Sequence, residues 1–107
     1  MTLNEFQNRA EEFTESYFDS VDHCAIVLGE EAGEVLGKVK KWGRDADFAP
    51  DSRLFQDVKA ELGDVLWCVS RMATQCGWTL EEIGQASCRK LADRKARGML
   101  HGEGDNR

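Results

Sequence analysis

Several residue types are scarce in this 107-residue sequence, which has one Pro, one Tyr and two His. Neither His23 nor His101 follows a Glu at a spacing of three, which argues against a di-iron carboxylate bundle. The four Cys include no Cys-x-x-Cys pair, so a zinc site is not expected. We expect the cysteines to be reduced and buried as small apolar side chains. No apolar run approaches the roughly 18 residues of a membrane span, and the first residues do not resemble a signal peptide. We therefore expect a cytoplasmic protein.

The charge balance restricts the class of partner. The formal net charge is −6 and the sequence pI is about 4.9. Nucleic-acid binding rests on many Lys and Arg contacts to phosphates, so neither nucleic acid nor a membrane surface is an expected partner. A small phosphate ligand remains compatible, because a bound cation reverses the local field.

The apolar periodicity predicts helices and no strands. The class is therefore all-α, and short connections favour an antiparallel four-helix bundle. Residues 1–97 form one domain, and the Gly-rich residues 98–107 are expected to be a flexible tail. Capping signatures and glycines place the four helices at about 4–18, 23–41, 53–76 and 80–97. A domain this small gains burial by self-association, which favours a homo-oligomer.

A short acidic motif occurs on both the second and the third predicted helix. Glu31 and Glu34 in the first copy correspond to Glu61 and Asp64 in the second, each pair set in the same apolar frame. At about 100° per residue, both pairs lie on one side of their helix, at the edge of the buried stripe. Four converging carboxylates repel one another and call for a cation. Oxygen ligands favour Mg²⁺, with Mn²⁺ as a substitute.

Each copy of the motif also contains a glycine inside a predicted helix. Gly33 and Gly63 each cost about 1 kcal/mol relative to Ala. Their matched positions predict a geometric need such as the close approach of two helices.

The motif resembles that of MazG-like nucleoside triphosphate pyrophosphohydrolases, in which Glu-Glu-x-x-Glu precedes Glu-x-x-Asp. Here it reads Glu30-Glu31-Ala-Gly-Glu34 and Glu61-Leu-Gly-Asp64. The resemblance implies that the last four acidic residues ligate Mg²⁺, and that Glu30 is an outer ligand or orients water. It also implies water attack at the α-phosphate of a nucleoside triphosphate, releasing a monophosphate and pyrophosphate. Either Glu31 or Glu34 would activate that water, and a homodimer or homotetramer is the implied assembly.

Other residues are candidates for substrate binding. The resemblance assigns phosphate contacts to Lys90 and Arg94, one turn apart on the last helix. Lys41, with its neighbours Lys38 and Arg44, either reaches phosphate or complements a helix dipole. The Gln7 amide, with that of Asn4, either reads a base edge or is simply exposed, and Trp42 either stacks on a base or packs at a helix end.

Two alternatives to this function remain open. A non-catalytic helical interaction or regulatory domain would keep the fold without turnover. Within the superfamily, a dUTP-directed or phosphoribosyl-ATP-directed enzyme shares the metal frame, and the residues do not distinguish base or sugar.

Overall fold

The computed structural model describes the backbone of all 107 residues and every side chain other than that of Tyr17. Its four α-helices are α1 (Leu3–Ala10), α2 (Val21–Ala46), α3 (Arg53–Cys76) and α4 (Leu80–Ala96). The described backbone contains no strand, so the expected all-α class is confirmed. None of these helices, over the described residues, combines the length and the apolarity that crossing a bilayer requires.

The first helix starts as predicted and ends early. Thr2 and Glu5 form a capping box, in which the Glu5 amide donates to the Thr2 hydroxyl over 3.1 Å. The prediction that this helix continues to residue 18 was wrong, because α1 stops at Ala10 and two 3₁₀ turns follow, Glu11–Phe13 and Ser16–Phe18. Acidic residues crowd this end, where the helix dipole is negative and disfavours them.

The second helix is longer than predicted, because Gly43 does not end it. The helix runs on to Ala46 and stops where Asp47 adopts the left-handed conformation, with a φ of 47°. Gly43 serves a different purpose, since a Cβ there would lie 2.5 Å from the Phe48 ring. The missing side chain lets that ring lie on the helix and pack against Trp42 at 5.1 Å between ring centroids.

The third and fourth helices lie where the sequence places them. Helix α3 has the predicted bounds and closes at Gly77, whose φ of 77° suits a residue without a Cβ. Thr79 caps α4 through a second capping box with Glu82. Helices α2 and α3 form an antiparallel hairpin, while α1 and α4 contact α3 and each other, α1 through bonds to Trp67 and Thr74 in the second half of α3.

Side chains of α1 join it to the start of α4. The Gln7 amide nitrogen donates to the Thr74 hydroxyl over 3.0 Å and to the Trp78 carbonyl over 2.9 Å, and its oxygen accepts from the Leu80 amide over 2.8 Å. Asn4 accepts from the next amide, that of Glu81, over 3.2 Å. Two first-turn amides of α4 are thus capped by a different helix, which satisfies donors that a helix start leaves unpaired.

The hairpin has one acidic side and one apolar side. At about 100° per residue, Leu36 lies about 140° around α2 from Glu31, and Leu62 about 160° around α3 from Asp64. Both leucines are open to solvent, with exposed fractions of 73% and 53%. The radius of gyration is 16.5 Å, against about 13 Å for a compact domain of this length. The chain therefore leaves much apolar surface uncovered.

Candidate metal centre

Three carboxylates from the two hairpin helices converge on the acidic side. Glu31 of α2 and Glu61 and Asp64 of α3 each offer an oxygen, and these oxygens all lie within 4.8 Å of one another. Glu31 and Glu61 are half-buried, and Asp64 is exposed. The convergence follows from the repeated motif, because antiparallel packing of the two apolar stripes turns both acidic edges to the same side of the hairpin.

The electrostatics of this group show a surplus of negative charge. Burial raises the pKa of Glu31, and the charges of Asp64, Glu61, Glu30 and Glu34 raise it further. The Lys38 ammonium lies 3.9 Å from a Glu61 oxygen, which is an ion pair at the limit of contact. Oxygen donors without a His or Cys in the group suit Mg²⁺ or Mn²⁺, and the unbalanced charge favours a cation. The residues present therefore fit a divalent metal ion.

Glu34, the fourth expected ligand, is placed differently. It is exposed and lies outside the group of three, although its charge still raises the pKa of Glu31. Glu30 is also exposed, on the outer side of α2. The structure thus brings together three of the four expected ligands, while the fourth, Glu34, and the neighbouring Glu30 lie close enough to raise the pKa of Glu31.

The two motif glycines do not mark a close approach of helices, so that prediction was wrong. Apart from its chain neighbours and its own helix backbone, a Cβ built on Gly33 or on Gly63 would meet no described atom within 4 Å, so no close approach of another helix of this chain requires either residue. Both glycines are exposed beside the carboxylates.

Two candidates for base recognition have structural roles. Gln7 is only 7% exposed, and its amide already bonds to Thr74, Trp78 and Leu80, so the side chain holds helices together and does not face a base. Trp42 donates its indole N–H to the Ala49 carbonyl over 2.8 Å and packs between the rings of Phe48 and Phe55. It therefore closes the α2–α3 turn, which is the packing role considered from the sequence.

The candidate phosphate ligands are divided between two places. Lys38 is next to the acidic group, whereas Lys41 is exposed and makes no ion pair among the described residues. Lys90 and Arg94 both contact Asp105 of the C-terminal tail instead. The sequence gives no sign of Asp105, because a contact between a Gly-rich tail and a helix follows no periodicity.

Comparison with known proteins adds a family to this geometry. The MazG nucleotide pyrophosphohydrolase domain matches residues 20–99. The Gene 37 protein of Mycobacterium phage L5 is 42% identical over 92 residues, covering 83% of this chain and 81% of the phage protein. No solved structure shows a significant match. The match spans α2, α3 and α4 with all the motif carboxylates, and the chain therefore belongs to the MazG nucleotide pyrophosphohydrolase domain family.

Proposed function

We propose that the protein hydrolyses nucleoside triphosphates to monophosphates and pyrophosphate, with Mg²⁺ held by Glu31, Glu61 and Asp64. The observation that carries this proposal is the convergence of these three carboxylates, from matched motifs on two helices, within 4.8 Å. Family membership supports the reaction class.

The remaining residues near the group divide the other tasks. When bound, the metal ion would supply positive charge that offsets the phosphate charges and favours attack by water. Glu34 lies outside the group of three and accepts the proton of the attacking water, while Glu30 orients that water. Lys38, beside Glu61, contacts a phosphate oxygen, and the proposed roles of Lys90, Arg94 and Lys41 are also phosphate contacts.

The test is a product analysis with purified protein. Each of the eight common ribonucleoside and deoxyribonucleoside triphosphates is incubated with Mg²⁺, and pyrophosphate is separated from orthophosphate. We expect pyrophosphate and a nucleoside monophosphate in equal amounts, with loss of turnover in EDTA. Release of orthophosphate alone would overturn cleavage between the α and β phosphates. Absence of turnover, with no thermal shift on adding Mg²⁺, would favour a non-catalytic interaction domain.

We further propose that the protein is a homodimer whose partner covers the apolar side of the hairpin. Leu36, Leu62 and Leu66 lie on that side and are 73%, 53% and 39% exposed, although each is large and apolar. Large apolar side chains grouped on one exposed side mark protein–protein contact sites. A second copy is a suitable occupant because a two-fold axis lets one apolar side cover its own equivalent, leaving both acidic sides open to substrate.

A further inference from the structure

The C-terminal tail, residues 98–107, folds back over the end of α4. Arg97 donates to the carbonyl of Arg107 over 2.6 Å, and the Arg107 guanidinium donates to the carbonyls of Gly104 over 2.6 Å and Leu100 over 3.1 Å. These bonds close the tail into a loop held against the last turn of the helix. The loop and the helix together line a cavity of about 310 Å³.

Within this loop, the carboxylate of Asp105 lies between two cations of α4. One of its oxygens is 2.9 Å from the Lys90 ammonium and 3.0 Å from the Arg94 guanidinium. Arg94 also donates to the Asp105 backbone carbonyl. Hydrogen bonds from Lys90 and then Arg94 lower the pKa of Asp105, so the carboxylate is ionised at neutral pH.

Arg94 is a buried cation, with only 5% of its surface exposed. Its Nε atom is buried without a hydrogen-bond partner among the described residues. A buried guanidinium with spare donor capacity suits an anion that offers more than one oxygen, since Arg binds carboxylate or phosphate with two parallel bonds. Asp105 satisfies Arg94 incompletely, and a phosphate group offers more acceptors.

We propose that the tail is an autoinhibitory latch, in which the Asp105 carboxylate occupies the phosphate site of Lys90 and Arg94 and polyphosphate must displace it. The proposal rests on the phosphate-binding role given above to those two cations. Both ligands are anions that need the same donors, so they bind in competition. Only molecules with an open latch bind polyphosphate. The apparent association constant is therefore the intrinsic one multiplied by the open fraction.

The construction of the tail suits release as well as closure. The Asp105 side chain is 76% exposed and that of Lys90 is 44% exposed, and ion pairs this open to water hold weakly. Only the Arg94 side of the contact is buried. Three glycines, Gly98, Gly102 and Gly104, adopt positive φ values of 69°, 149° and 83°. Such residues let a short segment change direction at little steric cost. A ligand with several phosphate charges can therefore displace the carboxylate without unfolding α4.

The test measures binding of inorganic tripolyphosphate in EDTA by calorimetry, which needs neither metal nor catalysis. Asp105→Asn keeps the shape of the side chain and removes its charge. Glu103→Gln removes a charge from the same tail at an exposed residue, and is the matched control. We expect Asp105→Asn to bind tripolyphosphate about threefold to tenfold more tightly than the unaltered chain, on the scale of ion pairs whose carboxylate is exposed. Glu103→Gln should bind like the unaltered chain.

A second measurement follows the tail directly. The backbone amide signals of Gly102 and Gly104 in a ¹⁵N spectrum should move towards random-coil positions when tripolyphosphate saturates the unaltered protein. Equal or weaker binding by Asp105→Asn, no binding by either form, or saturation without a change in these signals would each overturn the latch. A chain that passes both tests and hydrolyses no nucleotide would retain the latch and lose the proposed catalytic function.

Discussion

A carboxylate oxygen of Glu31 on α2 lies within 4.8 Å of one on Asp64 of α3. The two charges repel, and the pKa of Glu31 is raised as a result of burial and of this neighbour. Folding thus brings together groups that resist contact until a cation joins them.

Removing one of these charges should stabilise the metal-free protein. We expect Glu31→Gln to raise the free energy of unfolding in EDTA by up to about 1 kcal/mol, the scale of a partly exposed charge pair. The same variant should lose the thermal shift that Mg²⁺ gives the unaltered protein. Urea denaturation with and without Mg²⁺ measures both effects. Glu12→Gln, at an exposed residue remote in sequence from the motif, is the control and should change neither; a destabilised Glu31→Gln would make that carboxylate structural.

Substitutions of Glu61 and of Glu34 should change turnover in different ways. Glu61→Gln alters a proposed metal ligand and should lower kcat/KM at least about 100-fold, since even outer-shell changes cost 10-fold to 100-fold. Glu34→Gln alters a residue outside the group of three, so it should lower kcat while leaving the Mg²⁺ concentration for half-maximal activity unchanged. A titration of activity against Mg²⁺ separates the two. A raised Mg²⁺ requirement in Glu34→Gln would restore it as a ligand.

A charge placed on the apolar side of the hairpin should break the proposed dimer. Leu62→Lys puts an ammonium where the partner packs, so the protein should sediment as a monomer at concentrations at which the unaltered chain is dimeric. Gln56→Lys adds the same side chain at an exposed position about 120° around α3 from Leu62, and this variant should remain dimeric. Sedimentation of all three proteins checks this, and a monomeric unaltered chain would contradict the proposal outright.

Loss of the Gln7 amide should destabilise the packing of α1 against the end of α3 and the start of α4. Gln7→Met keeps the volume but removes three hydrogen bonds and leaves the Leu80 amide unpaired. We expect a loss of about 2–4 kcal/mol, from bonds of about 1 kcal/mol each and one orphaned donor. Urea denaturation measures it. Asn8→Met changes the exposed neighbour and should cost under about 0.5 kcal/mol; an equal loss in both variants would point to α1 propensity instead.

The buried cysteines should react slowly and make the protein sensitive to alkaline pH. Burial raises the pKa of Cys68 to about 11 from an ordinary value of 9.0. As pH rises from about 9 to about 11, the unfolded chain therefore loses this proton first and stability falls. Iodoacetamide at pH 8 should label the exposed Cys88 before Cys68, as peptide mass spectrometry would show. Cys88→Ser should keep the alkaline loss of stability and Cys68→Ala should reduce it, and labelling at equal rates would contradict the burial.

The sequence was sufficient for features that repeat locally. The bounds of α3, both capping boxes and the side on which Glu31 and Glu61 lie all follow from short-range spacing. The predicted end of α2 was wrong because Gly43 makes room for the Phe48 ring. That contact lies beyond the helix, so spacing within the helix does not reveal it. Asp105 was not foreseen for the same reason, since its partners lie on another element.

Because Asn4 and Gln7 cap α4, we expect α1 and the start of α4 to open together as one cooperative unit. An event that frays the first ten residues removes acceptors from the Leu80 and Glu81 amides, so the start of α4 loosens together with α1. The hairpin that carries the acidic group has its own contacts and can outlast this opening. A shortened or heavily tagged N-terminus would therefore change the position of Lys90 and Arg94 while leaving the carboxylates in place.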